Sequence, residues 1–204
     1  MNGEEIPARR TALLDAAEGL IRDEGADGWD LPALAGRAGV GLDVVREEFE
    51  SEWDVFCHVI RRDERQFESV VEAATTRPGS ASEDILSLLE ACVPDFDWTY
   101  WIELWSLALR DERARDLRTE LDERFRGMIE EKIKRGVDAG EFSVSDTRAA
   151  AVTIATLIDA MAVQATLGDT TIRPNYMLDA CVTVSGTLLG APLKLPQLNG
   201  GESV

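Results

Sequence analysis

Apolar residues recur at helical spacing along nearly the whole chain, and this pattern constrains the fold more than any other feature. In the first segment Leu13, Ala17, Leu20 and Ile21 stand at i, i+4, i+7 and i+8, which places them on one face of an α-helix. No segment shows the alternation of apolar and polar residues that is typical of a half-buried β-strand. The sequence therefore predicts an all-α protein of about nine helices.

A tight helix-turn-helix is predicted after the first helix. Two short helical segments, residues 31–37 and 42–49, are separated by the four residues from Ala38 to Gly41, and Gly39 permits a sharp turn. Ser51 is a suitable N-cap for the long helix that follows. We therefore predict an N-terminal helix-turn-helix domain over residues 1–52 and a second helical domain over residues 53–190.

The segment from residue 147 to residue 189 is poor in charge. Five of its 43 residues are charged, so a pair of helices formed from it would expose a large apolar surface to water. We therefore predict that the protein is a homodimer held through residues of about 147–189. The tail, residues 191–204, is rich in proline and glycine, and we expect it to be poorly ordered.

One apolar run in this segment, Ala149 to Leu167, is nearly long enough to cross a bilayer with its 19 residues. Asp159 lies in the middle of the run, and a carboxylate at the bilayer centre costs about 3 kcal/mol on insertion scales. Threonines and Gln164 make the run more polar still. We predict a buried helix of a soluble protein and no contact with a membrane.

The chain is strongly acidic, with 39 acidic and 21 basic residues and a net charge of −18. This charge excludes a nucleic-acid coat protein with a basic surface, so any DNA contact must be local. The three cysteines are far apart and provide neither a disulfide framework nor a CxxC motif. The N-terminal residues lack the apolar run of a secretory signal. We expect the protein to be cytoplasmic.

The sequence provides no recognisable catalytic or metal-binding set. His58 and Cys57 are neighbours, but adjacent residues on a helix point about 100° apart and do not form a nucleophile–base pair readily. One histidine and three scattered cysteines do not supply metal ligands at i, i+3 or i+4 spacing. We predict no enzyme activity, no metal and no cofactor.

A spaced set of residues in the first sixty positions resembles the TetR family of bacterial transcriptional regulators. The residues that carry this resemblance are Arg9-Arg10, Leu14, Ala16-Ala17, Gly25, Leu34-Ala35, Ala38-Gly39-Val40, Phe49 and Ser51. A looser similarity continues through Trp101, Trp105 and residues 140–142 and 157–159. The resemblance implies a homodimer whose residues 1–52 bind operator DNA and whose residues 53–190 dimerise and bind a small-molecule effector.

The same resemblance implies which residues face DNA. They are Arg9, Arg10, Arg37, Asp43, Val44, Arg46 and Glu47. The chain departs from the family at several of the positions that usually contact DNA. Asp30 replaces the usual threonine cap of the second helix, Asp43-Val44-Val45-Arg46 replaces Gly-x-Leu-Tyr, and Ser51-Glu52 replaces Ser-Lys. The residues that pack the motif are retained.

The first 60 residues contain five arginines, no lysine and 14 acidic residues, which gives 5 − 14 = −9. Non-specific DNA affinity comes from lysine and arginine contacts to phosphates, so the departures weaken the expectation of DNA binding. The four acidic residues between Asp43 and Glu50 have two interpretations. They form a solvated face, or they face the DNA, where a carboxylate can read the amino group of a cytosine.

A cluster of aromatic residues is the most pocket-like feature of the sequence. Trp98, Trp101 and Trp105 share one helix face, which is typical either of core packing or of the lining of a cavity. Four residues of other helices are predicted to accompany them in an effector pocket: Phe125, Met128, Met161 and Gln164. Gln164 or Asp159 would be the polar anchor for an apolar or aromatic effector.

Two functions are compatible with these observations. The first is a ligand-responsive TetR-type regulator, a repressor that binds operator DNA as a homodimer. The second is a TetR-fold homodimer that has lost operator binding and acts as a small-molecule-binding or protein-interaction module. The family resemblance favours the first function, and the local charge favours the second.

Overall fold

The structure, a computed structural model, describes residues 5–75, 79–92 and 98–194. Every regular element within these ranges is an α-helix, as the spacing of apolar residues predicts. The helices are α1 (Glu5–Glu24), α2 (Leu31–Ala38), α3 (Leu42–Glu48), α4 (Glu52–Thr75), α5 (Ala81–Ala91), α6 (Thr99–Ala108), α7 (Glu112–Asp138), α8 (Thr147–Thr166) and α9 (Pro174–Leu189). Most of the predicted tail, residues 195–204, lies outside the described ranges.

The contacts between helices divide the chain into two compact units. The first unit comprises Met1–Glu68 and Trp98–Arg118, and the second comprises Ser69–Asp97 and Thr119–Val204. Residues of α4 and α7 therefore contribute to both units. This division groups segments by their contacts, whereas the predicted boundaries at residues 52 and 190 divide the chain by function. Those boundaries stay a prediction.

The small core of the first unit is built from α1, α2 and α3 together with the start of α4. The side chains of Leu34, Val45 and Phe49 are at most 2% exposed, and burying each of them contributes about 1.5–3 kcal/mol. Gly39 ends α2 with φ +70°, a conformation that favours glycine because a Cβ would be strained there. The predicted tight turn between α2 and α3 is therefore confirmed.

The predicted N-cap of α4 is also present. The Ser51 Oγ accepts a hydrogen bond from the Asp54 backbone N–H at 3.2 Å, and this bond satisfies one of the amide groups that the first turn of a helix leaves without a partner. The long helix α4 thus begins at a position that its own sequence specifies.

In the second unit, α9 packs against both α8 and α5. Glu141, in the turn after α7, caps the N-terminus of α5: its carboxylate accepts hydrogen bonds from the backbone N–H groups of Ala81 and Ser82 at 2.9 and 3.0 Å. These two bonds favour the charged carboxylate and hold the pKa of Glu141 below its ordinary value of 4.5.

The helix α8 is long and apolar enough to cross a membrane by length and composition alone. A single helix of this kind is weak support for a membrane protein, because core helices of soluble proteins have the same composition. Ile154, Ile158 and Ala162 of α8 are buried, and α8 packs against α9. The apolar composition is thus explained in part by packing within the second unit.

Candidate nucleic-acid interface and effector residues

The helix α3, the second helix of the helix-turn-helix, presents a single charged face. Asp43, Arg46 and Glu47 are exposed, while Val45 is buried. Because residues at i, i+3 and i+4 share one side of a helix, the three exposed side chains form one surface. We call Asp43, Arg46 and Glu47 the α3 face. Val44, predicted to join them, is half-buried.

The acidic residues near α3 do not have equal roles. The Glu48 side chain is 6% exposed, and its Oε1 accepts a hydrogen bond from Arg9 Nε at 3.0 Å. Its second oxygen, Oε2, lies 3.9 Å from Arg10 Nη1. By contrast, the Glu47 side chain is 62% exposed and only one of its oxygens approaches Arg9, at 3.6 Å. Glu48 therefore joins α3 to α1, and Glu47 remains on the α3 face.

Arg10 is held in place by α4 as well. Its Nη2 lies 2.6 Å from His58 Nε2, and because a guanidinium only donates hydrogen bonds, His58 Nε2 must be the acceptor. The proton of the neutral imidazole is then on Nδ1, which donates to the Asp54 carbonyl oxygen at 2.8 Å. The Arg10 guanidinium also lies over the Phe49 ring, 5.2 Å from its centroid. His58 is thus a structural partner of a predicted DNA contact.

The two remaining arginines differ in how readily they can reach a ligand. Arg37 Nη1 donates to Asp23 Oδ2 at 2.7 Å, and both side chains are exposed, so this pair contributes at most about 1 kcal/mol. Arg46 is exposed and forms no ion pair with the described residues. Arg46 is therefore the most available cation of the helix-turn-helix.

The N-terminus of α2 is closed by two carboxylates of the chain itself. Asp30 Oδ1 accepts from the Ala33 N–H at 2.8 Å, and Glu52 Oε1 accepts from the Leu31 N–H at 3.1 Å. A helix N-terminus is otherwise a natural site for a phosphate. The sequence indicates that Glu52 replaces a lysine, but it does not indicate that Glu52 caps α2, because the bond joins residues that are 21 positions apart.

The three predicted pocket tryptophans all belong to the first unit. Trp98 is buried, and the half-buried Trp101 donates its indole N–H to Asp63 Oδ2 at 2.9 Å. The Trp105 indole nitrogen is buried and has no hydrogen-bond partner among the described residues. An unpaired buried N–H is costly, and the Trp29 indole nitrogen is also buried without a partner among the described residues.

The four predicted companions belong to the second unit. Met161 is buried, Phe125 and Met128 are half-buried, and Gln164 is exposed. Gln164 lies on the exposed face of α8 together with Thr153. That these residues and the tryptophans bind one effector stays a prediction.

The sequence from residue 81 to residue 189, which includes segments of both units, decides the family. Residues 81–189 match the family model of the C-terminal domain of BetI-type transcriptional repressors, a TetR C-terminal domain. The match covers more than half of the chain. The chain belongs to the TetR family. Its members are transcriptional regulators and not enzymes, in agreement with the prediction from the sequence.

Solved structures of transcriptional regulators share this fold. A transcriptional regulator from Saccharomonospora viridis in complex with choline is 22% identical, with a TM-score of 0.76 over 84% of this chain and 92% of that chain. A TetR-family regulator from Rhodococcus sp. is 19% identical, with a TM-score of 0.77 over 89% and 98%. A TetR regulator from Haloarcula marismortui is 19% identical, with a TM-score of 0.76 over 92% and 100%. No curated protein sequence matches the chain.

Proposed function

We propose that this TetR-family protein is a ligand-responsive repressor that binds operator DNA as a homodimer in the cytoplasm. The observation that carries the proposal is the α3 face. It is exposed on the second helix of a helix-turn-helix, the helix that reads base edges in the major groove in such motifs. Arg9 lies beside this face, with its Nη1 3.6 Å from Glu47 Oε2, although its Nε already donates to Glu48.

The exposed surface of α8 and α9 supports a homodimer. The exposed residues of α8, all within the described ranges, are uncharged: Ala149, Thr153, Thr156, Ala160, Gln164, Ala165 and Thr166. The hydroxyl groups of Thr153 and Thr156 donate to the carbonyl oxygens of Ala149 and Val152, both at 2.8 Å. On α9, Thr187 makes the same bond at 2.9 Å. Because these hydroxyl donors are already satisfied, covering the surface with a second copy leaves none of them unpaired.

The effector is proposed to be a small molecule that binds near the tryptophans of α6. Aromatic rings attract apolar molecules and also cations such as quaternary ammonium groups. The Saccharomonospora viridis structure is a complex with choline, so choline and a planar apolar dye are the two probes to compare first. A rise in melting temperature with one probe and not the other would identify the effector class.

The experiment that tests DNA binding is fluorescence anisotropy of the full chain with labelled DNA from upstream of its own gene. We expect a dissociation constant of about 10 nM or below at about 150 mM salt, and a loss of this affinity in the Arg46→Ala variant. The matched control is Arg173→Ala, which removes an exposed arginine from the second unit. An unchanged affinity of Arg46→Ala would exclude the α3 face as the reading surface.

A second function is favoured by specific contacts, namely a TetR-fold homodimer that has lost operator binding. Arg9, Arg10 and Arg37 are already paired with carboxylates, and the α2 N-terminus is capped by Asp30 and Glu52. Low salt strengthens even the non-specific binding of a protein to DNA. A dissociation constant above about 1 µM for every duplex at low salt would therefore favour this function. A small-molecule or protein partner would then be the object of the search.

A further inference from the structure

The acidic residues of α3 would be repelled by the phosphates that line both sides of the major groove, unless they are neutralised or paired with a base. Glu48 is turned inward and neutralised by Arg9 and Arg10. Asp43 and Glu47 remain exposed on the α3 face, one helical turn apart, with Arg46 between them. The α3 face therefore presents two hydrogen-bond acceptors, Asp43 and Glu47, and one donor, Arg46, and is not a uniform acidic patch.

We propose that the α3 face reads C·G base pairs, with Asp43 and Glu47 as acceptors from cytosine and Arg46 as donor to guanine. This inference rests on the proposed operator binding and specifies the sequence that is read. An ionised carboxylate only accepts hydrogen bonds. In the major groove, guanine offers two acceptors and thymine offers an acceptor and a methyl group, so neither can pair with a carboxylate.

The choice between cytosine and adenine follows from the neighbouring atom. Both bases present an amino group in the major groove, but in adenine it stands beside the N7 acceptor, which repels a carboxylate. The adenine amino group lies between two acceptors, its own N7 and the O4 of the paired thymine. The cytosine N4 amino group has an acceptor on one side only, the O6 of the paired guanine, so the carboxylate of Asp43 or Glu47 meets less repulsion there. The guanidinium of Arg46 has the opposite preference and fits the O6 and N7 acceptors of guanine.

The carboxylates of the α3 face would also give the helix-turn-helix domain greater sequence specificity and a lower affinity for DNA in general. At a wrong base pair each carboxylate is desolvated without a donor, and it is close to phosphates as well. Arg9, 3.6 Å from Glu47, reduces this repulsion at the correct site. We expect weak binding to random duplexes and a preference of tenfold or more for cytosine over adenine at the positions that Asp43 and Glu47 contact.

The experiment is a selection of duplexes from a random pool by the full-length protein, followed by affinity measurements on the enriched sequences. The wild type should enrich half-sites that contain C·G pairs. Glu47→Gln should exchange the preference for cytosine at one position for adenine, because a glutamine amide donates to N7 and accepts from N6. Asp43→Asn should do the same at a different position of the half-site.

The control variant is Glu24→Gln, which removes one negative charge from an exposed residue at the far end of α1. It should keep the wild-type sequence preference. Enriched half-sites without C·G pairs, or a preference that Glu47→Gln and Asp43→Asn leave unchanged, would overturn the inference while operator binding stands. A pool from which the folded protein enriches nothing would overturn the proposed operator binding and this inference together.

Discussion

The replacement of Glu52 by lysine tests how the chain closes the N-terminus of α2. Glu52 Oε1 accepts the Leu31 N–H at 3.1 Å, so Glu52→Lys removes this cap and should lower the free energy of unfolding by about 1 kcal/mol. Glu52→Gln retains an acceptor oxygen at the same place, and it should therefore destabilise the protein less. Urea unfolding of the two variants measures the difference.

The same variant should bind DNA more tightly. A lysine at position 52 is the residue that the family uses at this place, and one added phosphate contact changes the slope of log K against log salt by about −0.9. Two heads in a dimer give about −1.8, which at about 0.1 M salt corresponds to about a sixtyfold gain, or about 2.4 kcal/mol. Fluorescence anisotropy with a random duplex over a series of salt concentrations measures both the gain and the slope.

The matched control is Glu24→Lys, which makes the same change of charge at the C-terminal end of α1, about 22 Å along the helix from Arg9. It should change the affinity by much less than Glu52→Lys. An equal gain in the two variants would refute the reasoning, because it would assign the effect to net charge and not to the α2 N-terminus. Equal destabilisation by Glu52→Gln and Glu52→Lys would refute the proposed cap.

Three further predictions concern the rest of the chain. Ala160→Arg, on the exposed face of α8, should convert the dimer to a monomer, as measured by light scattering. The control Ala139→Arg, in the exposed turn after α7, should leave the dimer intact. A dimeric Ala160→Arg variant would exclude the exposed face of α8 as the dimer interface. The pKa of Glu141 in the folded protein is below its ordinary value of 4.5, so its contribution to stability is present above pH 4.5 and is lost as the pH falls through the folded-state pKa. Glu141→Gln should therefore make the melting temperature depend less on pH at acid pH. An acid dependence of the melting temperature equal to that of the wild type would contradict this prediction. Trp101→Phe keeps the ring but loses the hydrogen bond to Asp63 and should cost about 1 kcal/mol in chemical denaturation; a loss of effector binding without this cost would assign the indole to the pocket instead.

The course of the helices follows from the sequence because their causes are local. The spacing of apolar residues determines which segments are helical, and the four positions of α1 that this spacing places on one face, Leu13, Ala17, Leu20 and Ile21, are buried. Gly39 and Ser51 specify a turn and a cap through their own backbone and side-chain chemistry. The spaced set of residues from Arg9 to Ser51 also indicates the TetR family from the sequence alone.

The partners of the charged residues were decided by the tertiary structure. The sequence indicates that Arg9 and Arg10 face DNA, but it does not indicate that Glu48 and His58, 39 and 48 positions away, hold them. The sequence likewise indicates that Glu52 replaces the lysine usual in the family. Its role as the cap of α2 depends on how α4 packs beside that helix. The physical reason is range: helix formation depends on neighbours within four residues, whereas a hydrogen bond or ion pair between side chains depends on which helix surfaces meet after packing.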